Sequence, residues 1–143
     1  MPEGASHVAL IEDILSFLAA DGEPEYVVLT DRAGERRDCR CHNVGGFVPD
    51  VYAVSIRDTQ RRTIGEAKSA SDFLSPRTET QLRAFLKHLS IFERPTLVVA
   101  VPFATIPSAA ALVERLLRGN DKRVMAFAIA PYARRLIAKG WGG

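Results

Sequence analysis

Two short runs in the second half of the chain constrain its fold most: Thr96 to Val101 (TLVVAV) and Val124 to Ala130 (VMAFAIA). A strand with apolar residues on both of its alternating faces has to be covered on both, which is the position of a buried, typically parallel strand. A helix is expected before each run. Ser75-Pro76 is a good N-cap and first-turn pair, and the helix it opens carries Leu82, Phe85, Leu86 and Leu89 on one face. Pro107 opens a second helix, which stops at Gly119-Asn120.

The first half has a different rhythm. Ser6 can cap a helix running to about Ala19, with Val8, Ile11, Ile14, Leu15 and Leu18 at helical spacing and Asp21-Gly22-Glu23-Pro24 as its end. Tyr26 to Leu29 (YVVL) reads as a short strand, followed by a polar stretch from Thr30 to Arg37 and an irregular one over 38–46. Val51 to Arg57 (VYAVSIR) and Arg62 to Ser69 (RTIGEAKS) are two further strands, joined by a hairpin turn at Asp58-Thr59-Gln60-Arg61. A polar loop, Ala70 to Ser75, leads to the helix at Ser75-Pro76, and a short basic helix from Pro131 to Lys139 is expected to close the chain. The expected fold class is mixed α/β (α+β): a mixed central sheet with α-β-β-β-α-β order, flanked by helices. The 143 residues suit one domain spanning 1–143.

Composition narrows the class without naming it. Apolar residues are 47% and charged residues 25%, and no apolar run approaches the roughly 20 residues a membrane span needs. The start, MPEGASHVALIEDIL, has no basic stretch ahead of an apolar one, so no secretory signal is expected and a cytoplasmic protein is. The net charge of +2 neither demands nor excludes nucleic acid, but the basic residues cluster, as at Arg36-Arg37-Arg40, Arg57-Arg61-Arg62 and Arg115-Arg118-Lys122-Arg123. Solvated faces explain such clusters equally well. Cys39 and Cys41 are too close for an ordinary disulfide, and with His42, only His7 and His88 remain as soft ligands elsewhere, so both cysteines are expected to be reduced and structural.

The segment that bears chemistry is Pro49-Asp50, then Gly65-Glu66-Ala67-Lys68. An acidic-x-Lys tripeptide alone arises about once per chain by chance at this composition. Its context is more specific. Glu66 and Lys68 are two apart in a strand and so share a face. Asp50 begins the partner strand, and a hairpin turning near Thr59-Gln60 puts it opposite the Lys68 to Ala70 end. Two carboxylates and an ammonium then converge on one sheet edge. A divalent cation held by hard oxygen ligands activates water and neutralises phosphate charge. Asp50 and Glu66 can supply its carboxylates, the carbonyl of Ala67 a further ligand, and Lys68 can hold the attacking water or stabilise the transition state. The bland alternative is a surface Asp beside a cross-strand Glu/Lys pair of little energetic worth.

A Pro-Asp, fifteen residues, then Glu-Ala-Lys, set between a leading helix and a following helix and β-α-β half, resembles the PD-(D/E)xK nuclease superfamily. The likeness runs from about Ser6 to Ala130. It implies a restriction-endonuclease-like core and Mg²⁺-dependent hydrolysis of nucleic acid, most often DNA, with Mn²⁺ able to substitute. It is similar to small members such as junction resolvases and virus-type replication-repair nucleases. Members often place a metal-binding carboxylate on the first helix, where Glu12 is the candidate and an ordinary exposed Glu the alternative. Some carry a Gln on the helix after the motif; Gln81 fits, although Thr78-x-x-Gln81 also matches a capping box. Gln81, Phe85 and His88 share one helical flank with Arg77 a turn earlier, and Arg77 and His88 are candidates to contact phosphate, or else merely exposed or packed. A homodimer with one site per strand is expected, with Pro102 to Leu117 supplying either its surface or core. A non-catalytic nucleic-acid-binding module, or an assembly subunit that draws specificity from a partner protein, is the rival reading.

Overall fold

The computed structural model describes residues 5–20, 25–31, 40–118 and 123–142. The expectations for Asp21 to Pro24, Arg36, Arg37, Cys39, Gly119-Asn120 and Lys122 lie outside the described residues, as does the side chain of Ser6. Among the described residues no helix is long and apolar enough to cross a membrane.

The chain runs α1 (Ala5–Ala20), β1 (Tyr26–Thr30), β2 (Val51–Ser55), β3 (Arg61–Ala67), α2 (Ala70–Phe73), α3 (Pro76–Leu89), β4 (Arg94–Ala100), α4 (Ile106–Arg118), β5 (Met125–Ala130) and β6 (Ala133–Lys139). The six strands form one mixed sheet in chain order, β1-β2-β3-β4-β5-β6. β2 runs antiparallel to both of its neighbours, β1 and β3. β3, β4 and β5 are parallel, joined by crossovers through α3 and α4. Two crossovers of one hand, both moving the same way across the sheet, put both helices on the same face.

Side-chain alternation divides the sheet cleanly. Ile64, Leu97, Val99, Ala126 and Ala128 face a core shared with Leu82, Phe85 and Leu89 of α3 and Ala109 and Val113 of α4. Val51, Ala53, Ala67, Val98 and Ala100 face the opposite core, closed by Leu10, Ile11, Ile14 and Leu18 of α1. β4 contributes to both, as its apolar run requires. α3 begins where the Ser-Pro pair places it: the Ser75 side chain accepts from the Arg77 amide at 3.3 Å and Pro76 sits in the first turn. The expected loop at Ala70 to Ser75 contains the single helical turn α2, capped by Ser69, whose hydroxyl accepts from the Asp72 amide.

Two details differ from the sequence expectation. Pro131 to Lys139 is not a helix. Tyr132 adopts φ 61° and reverses the chain, so that Ala133 returns opposite Ala130 and β6 pairs antiparallel with β5. The open edge of β5 offers unpaired N–H and C=O groups to the returning segment, and satisfying them outweighs local helix propensity. The hairpin turn forms at Asp58 to Arg61 as expected, but β2 ends at Ser55 rather than Arg57, so the connection is lopsided and the strand register differs. The Arg61 amide donates to the Asp58 carbonyl and the Gln60 amide to the Asp58 carboxylate, both at 3.0 Å, and Val51 stands against Gly65. One further step brings Asp50 opposite Glu66 rather than opposite Lys68 to Ala70. Of the two alternatives for 102–117, the structure takes core for its apolar stripe: Ile106, Ala109, Ala110, Val113 and Leu116 are buried against the sheet.

α1 lies unusually close to β3 at one point. A Cβ added to Gly65 would sit 2.6 Å from Cγ2 of Ile14, a fully buried, stiff β-branched side chain. Gly65→Ala is therefore expected to lower stability by about 1–3 kcal/mol in a denaturant melt. Ile14→Ala and Gly65→Ala together should cost less than the sum of the two; simple additivity would show that the contact does not set the helix position.

Candidate active site

The candidate residues come from three elements, β2, β3 and α3, meeting at the carboxyl end of β3. Asp50 is the residue before β2, Glu66 and Ala67 end β3, Lys68 follows them, and Gln81 lies in the second turn of α3. The carboxyl ends of parallel strands are the usual place for a site in open α/β sheets. The Lys68 amide still donates to the Ala100 carbonyl at 3.0 Å. This bond continues the β3–β4 ladder past the end of the strand, holding Lys68 in register with Glu66 and on the face that α3 covers.

Asp50 is clamped from several sides. Its amide donates to Glu66 Oε1 at 3.2 Å, its Oδ2 accepts from the Ala67 amide at 2.8 Å, and its Oδ1 lies 3.3 Å from Nε2 of His7 on α1. The amide and carbonyl of one strand residue point the same way, so the Ala67 carbonyl also faces the Asp50 side. Lys68 Nζ donates to Gln81 Oε1 at 2.5 Å and stands 3.9 Å from Glu66 Oε2. Thr78 does not cap a helix start, since its hydroxyl donates to the Asp72 carbonyl at 2.7 Å. Gln81 is thus free of the capping-box role and is instead the partner of Lys68.

The two carboxyls are in hydrogen-bond contact with each other and shift in opposite directions. Glu66, only 2% exposed, is pushed well above the usual carboxylate range by burial, then by the charge of Asp50 and their hydrogen bond; Lys68 offsets only part of this. Burial acts to raise Asp50 too, but hydrogen bonds from His7, Glu66 and the Ala67 amide outweigh it and hold Asp50 below its ordinary value. The two groups titrate as a coupled pair, in which the surroundings favour the protonated form of Glu66 and the charged form of Asp50. Oxygen donors dominate the cluster. Among the described residues no trio of His, Cys, Asp or Glu side chains is placed to hold a metal ion, so a cation here would rest on two carboxylates, the Ala67 carbonyl and its own waters. Such a set suits a hard ion like Mg²⁺, which retains water and needs only one or two protein carboxylates.

Not every candidate reaches this cluster. Glu12 is exposed, five residues and so roughly 140° around α1 from His7; the first-helix residue at the site is His7. Its signal was present in the sequence, because His7, Ile11, Ile14 and Leu18 share one stripe, whereas Val8 is 38% exposed. His88 packs against Tyr52, with Nε2 2.7 Å from the tyrosine hydroxyl. Burial, and then the charge of Arg62, lower its pKa. His88 is therefore neutral near pH 7 and brings no positive charge to a phosphate. Arg77 is exposed one turn before Gln81, its guanidinium 5.0 Å from the centre of the Phe47 ring. Cys41 is a buried free thiol donating to the Leu29 carbonyl at 3.2 Å. Burial, then the charges of Asp31 and Asp50, push it up to about 12, so it is no thiolate ligand.

The Glu66 shift makes a prediction about the metal-free protein. Below about 4.5 the carboxyl is protonated in both folded and unfolded states. As pH rises from there through the raised folded value, the unfolded state releases its proton first, and stability falls. Glu66→Gln keeps the acceptor for the Asp50 amide and removes the charge. In EDTA it should melt a few degrees above wild type at pH 8 and show no such gain at pH 4.5. A gain of equal size at both pH values would mean that the carboxyl is not the cause.

No protein-family model, no curated protein and no solved structure matches the chain, so the functional reading rests on the geometry of this site.

Proposed function

We propose that the chain is a metal-dependent nuclease that hydrolyses phosphodiester bonds of nucleic acid, DNA foremost, at Asp50, Glu66 and Lys68. The observation that carries this reading is the contact between two buried carboxyls at adjoining strand ends, with an ammonium 3.9 Å from one of them. Buried acids in contact are costly unless a proton or a cation lies between them. The arrangement of elements supports the same reading: an acid before β2 and Glu-x-Lys ending β3, between α1 and α3, is the placement expected of a restriction-endonuclease-like core.

Asp50 and Glu66, with the Ala67 carbonyl, would hold Mg²⁺ or Mn²⁺. The bound ion would supply an acidified water and neutralise phosphate charge. Lys68, pinned by Gln81, holds its ammonium beside Glu66, where it can orient the attacking water or stabilise charge developing on the phosphate. His7 positions Asp50 through Oδ1 and leaves Oδ2 to the Ala67 amide. Arg77, exposed one turn before Gln81, would meet backbone phosphate without reading sequence.

Purified protein is expected to nick or cut plasmid and oligonucleotide DNA with Mg²⁺ or Mn²⁺, and not in EDTA. Asp50→Ala, Glu66→Ala and Lys68→Ala should each lower the rate by about 100-fold or more while keeping a wild-type circular dichroism spectrum. Wild-type cleavage by all three variants would refute the site. Nucleic-acid binding with no uptake of Mn²⁺ and no cleavage would establish the binding-module reading instead.

A further inference from the structure

A second pocket lies on the sheet face that carries Glu66 and that α3 covers, further from the strand ends. It encloses about 300 Å³ between the sheet, α3 and the 42–44 segment, with Leu29, Val44 and Val54 as apolar walls and Tyr52, Arg62 and His88 as polar ones. Its position follows from strand periodicity. Tyr52 pairs with Ile64 and so shares the face of Glu66, and it is two residues, about 7 Å, along the chain from Asp50. Arg62 stands on the same face of β3 as Ile64 and Glu66, in register with Val54. His88 lies two helical turns beyond Gln81. The three elements that form the carboxyl site thus also form the pocket, one step further along each.

The pocket's polar groups are held in fixed orientations. Arg62 Nη1 donates to the Tyr52 hydroxyl at 3.1 Å and its Nε to the Thr59 carbonyl at 2.9 Å. Its guanidinium lies 4.2 Å from the centre of the Phe92 ring. The Tyr52 and His88 rings meet edge to face at 5.6 Å. Apolar walls with a few oriented polar groups describe a small-ligand pocket. Aromatic and guanidinium planes with hydrogen-bonding edges are what receives an unstacked base.

We propose that this pocket receives one unpaired nucleobase of the strand being cut, one or two nucleotides from the scissile phosphate, so that the substrate is single-stranded or locally unpaired nucleic acid. The position of the scissile phosphate rests on the nuclease reading above; the base pocket itself is tested without cleavage.

Wild-type protein in EDTA is irradiated with a short single-stranded oligonucleotide carrying 5-iododeoxyuridine, and the adducts are mapped by mass spectrometry. Adducts at Tyr52 or His88 are expected; adducts confined to other positions overturn the proposal. Val54→Trp, which fills the pocket from β2, should weaken binding of the single strand about tenfold in fluorescence anisotropy and leave binding of an intact duplex unchanged. A folded Val54→Trp protein with wild-type affinity for the single strand overturns it, and if that variant does not fold, the wild-type adduct map decides. Thymidine monophosphate is the second arm: competition at the same concentration as the oligonucleotide would make this a free-nucleotide site and overturn the assignment to a strand. Asp50-dependent cleavage with adducts elsewhere would leave the nuclease reading standing without this pocket. Adducts at Tyr52 with no cleavage in any metal would do the reverse.

Discussion

β3 has to satisfy an antiparallel neighbour on one edge and a parallel neighbour on the other while being covered on both faces. From Thr63 to Ala67 every residue of it is buried, so any polar side chain in that stretch must find its partners inside the protein. Glu66 is the only ionisable one. Within its reach are the residue opposite it across the β2 ladder, Asp50, and the residue two further along, Lys68. The place where the sheet changes from antiparallel to parallel is thus also the place where charge is concentrated. Gly65 lets α1 come down onto β3 directly beside it, and this brings His7 to Asp50.

Burial separates this cluster from the other ion pairs of the molecule. Among the described residues Glu79 with Arg83 and Arg115, and Asp58 with Arg94, are also paired, but none of these groups is buried, and water screens them to little net energy. The Asp50–Glu66 pair cannot be screened in that way. Its members are pushed in opposite directions, and the nearby ammonium does not fully offset the repulsion. A site poised between a proton and a cation is the physical content of the proposed metal centre. The Tyr52–Arg62–His88 pocket differs in kind: its polar atoms satisfy one another and leave a cavity walled by rings.

Much of the fold was legible because its signals are local. Ser75-Pro76 starts α3 through a side chain and a ring that act within one turn. The run at Thr96 to Val101 announces burial on both faces because strand side chains alternate. The elements that were misread depend on distant parts of the chain. Pro131 to Lys139 has no local mark of a strand other than the edge of β5 it completes. The hairpin turn does centre on Thr59-Gln60, but β2 leaves the ladder after Ser55, and this uneven connection moves the register so that Val51 meets Gly65. His7 was overlooked beside Val8 because one position on a helix turns a residue by roughly 100°, and the tertiary packing selected which of the two faces the sheet.

By itself the sequence determined which reactive groups are present and on which elements: an acid before β2, Glu-x-Lys at the end of β3, a Gln one turn into the next helix. These follow from residue identity and short-range periodicity. Only the tertiary structure decided that Asp50 stands opposite Glu66, that His7 rather than Glu12 joins them, that Gln81 holds Lys68, and that the two carboxyls are pushed in opposite directions. The reason is electrostatic. The state of a carboxyl is set by its distance from other charges and by the water it has lost, and both depend on segments that meet only when the sheet and its three main helices are assembled.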